Sequence, residues 1–161
     1  MNPTPLALLA AIAASGAGLP APSPAQHPDA AAVQVAAVKA VRAEFPAGTI
    51  KVDRGMHGSQ PRLLSDSVAR VLADAVGGTV GSRADVVCPG SGPRGCRIVG
   101  AEALLRVAEP VVQGDSATVV VAGRYHTGSD RQPVGAKDLR VRLVRSAGRW
   151  IAVGTTVLRI S

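Results

Sequence analysis

The sequence predicts an α+β domain in which two N-terminal helices pack on a curved antiparallel β-meander. Two observations carry this. Apolar residues recur at helical spacing in two stretches before residue 77, and at a period of two in most of the chain after it. Gly77-Gly78 marks the change. The length of 161 residues suits one domain, and 47% apolar content is enough to bury a core.

Residues 1–26 stand apart from that domain and contain no charged side chain. Residues 6–14 (LALLAAIAA) form an apolar run, too short for a bilayer, which needs roughly 20 residues. Small residues follow at 15–18, then a Pro/Ala spacer to Gln26. This is the layout of a secretory signal peptide, although the first five residues offer only the α-amino group as a cation. A disordered Ala/Pro tail is the alternative. Residues 27–161 are then the folded domain, exported to the periplasm or outside the cell.

In the first helix, residues 29–45, Asp29 is the candidate cap. Val33, Ala37, Val41 and Phe45 lay one apolar stripe along it, and Pro46 and Gly48 stop it. Residues 49–53 alternate as a short strand, with Ile50 and Val52 on one side. A polar loop covers 54–62. The second helix, 64–76, is capped by Ser65 or Asp66, carries Leu64, Val68, Val71, Leu72 and Val76 on its apolar face, and ends at Gly77.

Residues 85–88 lead into a Pro/Gly turn and 96–100 leave it as the antiparallel partner. Cys88 and Cys96 flank this turn and, being the two cysteines of an exported chain, read as one disulfide. Free thiols and a metal or redox site are the other readings. Zinc wants four ligands and His27, His57 and His126 are scattered; redox pairs favour Cys-x-x-Cys. Residues 102–112 continue as a strand, with Ala103, Leu105 and Val107 inward and an edge or bulge at Pro110. After a hairpin at 113–116, Ala117, Val119, Val121, Gly123 and Tyr125 share one face. Leu139, Val141 and Leu143 point inward from 137–145. A turn at 146–149 and a strand at 150–160 close the sheet.

These closing strands resemble those of the nuclear-transport-factor-2-like superfamily, a cone-shaped α+β fold. The resemblance rests on Ala117-Thr-Val-Val-Val-Ala-Gly-Arg-Tyr125, Leu139-Arg-Val-Arg-Leu-Val-Arg145 and Gly148-Arg-Trp-Ile-Ala-Val153. It implies helices packed into the concave side of a curved sheet. It implies no activity, because that superfamily holds enzymes, binders and interaction modules. The N-terminal half departs from it, with Phe45 as its lone aromatic.

Several chemistries lack their parts. Phe45, Tyr125 and Trp150 are the only aromatic rings, too few for recognition of single-stranded nucleic acid by stacking. There is no Gly-x-Ser-x-Gly, Walker loop or His-Glu-x-x-His. Tyr125 and His126 are neighbours on a strand and point to opposite faces, so they form no dyad. His126 reads as a solvated strand end, and His57 as a loop residue without a neighbouring partner. No catalytic, cofactor or metal residue is assigned.

Charge is the remaining signal. The net charge is +7, and 15 of the 18 cations are Arg. Arg124, Arg140, Arg142, Arg145, Arg149 and Arg159 are candidates for an anion-binding sheet face, set against the ordinary role of charge on a half-exposed sheet. The expected function is a non-enzymatic binding or interaction module of the cell envelope. One alternative is a cone-shaped pocket for a small apolar ligand or substrate, lined by Val121, Tyr125, Leu139, Val141 and Trp150. The other is a polyanion binder. The partner is an envelope protein, a polyanion or a small ligand.

Overall fold

A computed structural model describes residues 28–58, 62–89, 96–127 and 134–161. The leader and spacer, His27 and most of the disulfide turn (90–95) lie outside them. The fold is α+β, with helices α1 (Ala30–Val41) and α2 (Asp66–Ala75) and a mixed sheet.

The strands are β1 (Ile50–Asp53), β2 (Thr79–Gly81), β3 (Val86–Val87), β4 (Arg97–Ile98), β5 (Ala103–Val107), β6 (Val111–Gln113), β7 (Ser116–His126), β8 (Val134–Ser146) and β9 (Arg149–Ile160). The main sheet runs β2-β1-β5-β7-β8-β9, with β6 pairing β7 beyond the end of β5. The β5-β7-β8-β9 part is antiparallel.

The expected all-antiparallel meander is corrected at the other side of the sheet. There β1 is parallel to both β2 and β5. The physical reason is α2: parallel neighbours need a crossover, and α2 carries the chain from β1 back to the start of β2. β2 has three residues and no apolar alternation, so the sequence did not announce it.

Local chemistry explains the element ends. Ser65 Oγ accepts from the Val68 amide and caps α2. Gly77 (φ +66°) takes the left-handed turn after it. Asp29 does not cap α1 with its side chain; its carboxylate pairs with Arg145 instead. α1 is also shorter than expected, because a 3₁₀ turn over Arg42–Glu44 takes its last residues. The 102–112 strand is broken before Pro110, where the chain leaves β5 and resumes as β6.

The core lies between the helices and one sheet face. Val33, Ala37, Val38 and Val41 of α1 and Ala69, Leu72 and Ala73 of α2 meet Ile50, Val52, Leu105, Val107, Val119, Val121, Leu139, Val141 and Leu143. The inward parity of β5, β7 and β8 follows from the pleat. Val71 is corrected: it is half exposed on the outer side of α2.

Candidate functional site

Cross-strand partners share a face, so the register writes out the sheet surface opposite the helices. One row across it is Arg106–Ala122–Asp138–Arg159, the next Leu104–Arg124–Ala136. On the other side of the first row come Val120–Arg140–Thr156 and Thr118–Arg142–Gly154. Arg124, Arg140, Arg142 and Arg159 thus lie on one face.

Arg145 is corrected. It pairs in register with Trp150 on the helix side, lies 5.0 Å over the indole ring, and is held by Asp29. Its odd position in β8 puts it opposite Arg140 and Arg142. Arg149 sits at the hairpin turn beside Trp150, away from the outer rows.

The outer face is partly covered. The β3–β4 hairpin, closed by the Cys88–Cys96 disulfide, folds over one end of it. Ile98, Ala101 and Leu104 form a small second core there with Val86 and Val134. His126 is corrected from a solvated residue to a buried one: it lies under this hairpin, where the Ile98 amide donates to its Nε2 at 3.3 Å. Lys51 of β1 ties the hairpin down by donating to Asp85 Oδ1 and to the Val99 carbonyl, both at 2.8 Å. That hydrogen bond and the Ser82 amide hold the Asp85 carboxyl below its ordinary value.

Between the hairpin and β9 the outer face keeps a hollow of about 270 Å³. Asp53, Arg83, Arg106, Arg124, Asp138 and Arg159 supply its charges, and His57 reaches its rim. Asp53 is almost fully buried; its Oδ1 accepts from the Gly55 amide, and Oδ2 stands 3.3 Å from Arg106 Nε. Arg159 Nε is 3.3 Å from Asp138 Oδ2. That Asp53, His57 and Arg83 line one hollow is not legible in the sequence, because they come from separate elements and no motif links them. Among the described residues no cluster of His, Cys, Asp and Glu could hold a metal ion.

The five residues expected to line an internal pocket do not converge. Val121, Leu139 and Val141 are fully buried in the main core. Tyr125 pairs with Gly135 at one end of β8 and stands edge-on to Phe45, with ring centroids 6.0 Å apart. Trp150 pairs with Arg145, ten β8 positions away from Gly135, on the order of 33 Å along the strand.

A second surface lies at the sheet edge. β9 pairs only with β8 among the described strands, and exposes Ile151, Val153, Val157, Leu158 and Ile160. Bulges opposite Arg142/Leu143 and Asp138/Leu139 leave Val153 and Leu158 without register partners. Beside the start of β9 an open groove of about 730 Å³ runs along α1, with Val35, Ala36 and Lys39 on one wall and Trp150, Ile151 and Ala152 on the other.

No protein-family model, curated protein or solved structure matches this chain. No helix among the described residues is long and apolar enough to cross a membrane.

Proposed function

We propose that this chain is an exported, non-enzymatic binding domain of the cell envelope that captures an extended, acidic segment of a partner protein along β9 and the groove beside it. The observation that carries this reading is the β9 edge: twelve residues with an open backbone side and five exposed apolar side chains, next to the Trp150 groove. An extended segment adding to such an edge gains backbone hydrogen bonds, and its side chains fill the adjoining groove.

Charge selects the kind of partner. β9 has no acidic residue and carries Arg149 and Arg159 near its ends; Lys39 borders the groove. Antiparallel pairing of two β9 strands about Gly154 sets Arg149 against Arg159 of the second copy, which like-charge repulsion disfavours. A segment with acidic ends and apolar residues at alternate positions meets no such penalty.

Export is supported by the apolar run at 6–14 and by the disulfide. Mapping the N-terminus of protein recovered from cells expressing the full chain tests it; an uncleaved cytoplasmic product overturns it. The likeness to the nuclear-transport-factor-2-like superfamily belongs to the same proposal: α1 and α2 pack on one sheet face, as a cone-shaped fold over a curved meander requires, while the parallel β1 and β2 are not part of that likeness.

Trp150 is the sole tryptophan and reports on the groove. Titration with a synthetic peptide of alternating Val and Thr, with Asp at both ends, is expected to change its emission saturably. Ile151→Lys with Val153→Lys removes that change, and Arg140→Gln with Arg142→Gln leaves it. Absence of a response, equal competition by poly-aspartate, or a stable dimer in sedimentation overturns the reading.

A further inference from the structure

The hollow on the outer sheet face shares Arg159 with β9 but rests otherwise on different residues, and carries its own inference. It exists because the row Arg106–Ala122–Asp138–Arg159 has its smallest side chain in the middle. Ala122 leaves a depression that long side chains surround. The disulfide-closed hairpin raises one wall with Val86, and Leu104 and Ala136 continue the apolar surface.

The charges around it do not cancel. Asp53 is matched by Arg106 and Asp138 by Arg159. Arg83 and Arg124 are exposed and have no ion-pair partner among the described residues. Four Arg and two Asp side chains line the hollow beside Ser161, so the Arg side chains outnumber the Asp side chains by two. Both uncompensated groups are guanidiniums, whose planar fork suits carboxylate and phosphate oxygens. The volume, about 270 Å³, is near the small end of ligand sites and admits only a small molecule.

We propose that this hollow is a binding site for a small dianion with a short carbon skeleton, a dicarboxylate or a phosphate monoester. Arg83 and Arg124 hold its two charges, and its carbon atoms lie against Val86, Leu104 and Ala122. Arg106 and Arg159 stay engaged with Asp53 and Asp138 and shape the walls. The uncompensated pair sets the preference for two charges over one, and the walls exclude chains of a long polyanion from the floor.

The test is calorimetric titration of the full chain in low-salt buffer with succinate, glycerol phosphate and, as a monoanion of similar size, butyrate. Binding of succinate or glycerol phosphate at one per chain, roughly tenfold or more tighter than butyrate, is expected. Which of the two dianions binds more tightly identifies the headgroup. Arg124→Gln and Arg83→Gln each weaken binding roughly tenfold. Both residues are exposed and have no ion-pair partner among the described residues, so the melting temperature is unchanged. Ala122→Leu fills the hollow and removes binding while every charge stays in place. Arg140→Gln with Arg142→Gln, on the same face outside the hollow, leaves it intact. The proposal is overturned if neither dianion binds, if butyrate binds equally well, or if the Arg140/Arg142 variant loses as much affinity as Arg124→Gln, which marks a diffuse polyanion face.

Discussion

The ring of Phe45 lies over Gly123 so closely that a Cβ at position 123 would stand 2.1 Å from Phe45 Cε1. Phe45 follows α1 and its 3₁₀ turn, and Gly123 lies in the middle of β7. This contact therefore sets how far the helix layer approaches the sheet.

Gly123→Ala is expected to destabilise the fold by about 2–3 kcal/mol, the cost of an added methyl with no room. Phe45→Ala alone is also destabilising. In the double variant the added methyl costs much less, so a double-mutant cycle in urea gives a large coupling energy. Additive losses would mean the two residues do not act on each other.

Asp85 gives the fold an acid-sensitive contact. Its carboxyl is lowered chiefly by the Lys51 hydrogen bond, then by the Ser82 amide, which donates at 2.6 Å. The folded state therefore binds this proton less readily than the unfolded chain. The stabilisation is complete above the ordinary carboxylate value of 3.8 and drains away as pH falls through the lowered value. Asp85→Asn should cost about 1 kcal/mol at neutral pH, since the pair is part-exposed, and nothing once pH has fallen well below the lowered value. Urea unfolding of both proteins across that range checks this; parallel curves at all pH values refute it.

Removing the disulfide loosens the wall of the outer hollow. Its closed loop is short, and Cys88→Ser with Cys96→Ser is expected to cost about 2–3 kcal/mol. The loss is local in its consequences. Hydrogen exchange should quicken first at Val86, Val87, Arg97 and Ile98, which pair in this hairpin, while β7 and β8 stay protected. Uniform acceleration across the sheet is the contrary result.

The β8–β9 turn contains a correctable strain. Ala147 has φ +48° beside Gly148 at φ +74°, a pair of left-handed residues that a two-residue hairpin demands. Alanine adopts this conformation at a cost of roughly 1 kcal/mol, and asparagine at less. Ala147→Asn is expected to raise stability by about 0.5 kcal/mol, read as a higher melting temperature. No change or a decrease rules this out.

Much of this architecture is legible in the sequence. Leu139, Val141 and Leu143 alternate with Asp138, Arg140 and Arg142, and the pleat alone fixes which set enters the core. Arg145 was grouped with Arg140 and Arg142 by charge, and the structure sets it on the other face, in register with Trp150. Ser65, Gly77 and the Cys88/Cys96 turn act over a few residues, and short-range chemistry is what a sequence records directly. The burial of His126 is not legible, because it depends on a hairpin almost thirty residues earlier and nothing beside it in the chain reports that cover. The exposure of Val71 is not legible either, because a single helix stripe does not show how wide a face its neighbours can bury.

Sequence alone specifies the class of fold, two helices and a β-rich remainder, together with the core faces of β7 and β8. Those features follow from periodicity, a property of each segment alone. Tertiary structure decided that β1 runs parallel between β2 and β5, since strand partnership depends on where α2 returns the chain. It also decided that Arg83, Arg106, Arg124 and Arg159 surround one hollow above Ala122. Their meeting depends on register across four strands and on a hairpin folded over them, and neither is encoded in any local spacing.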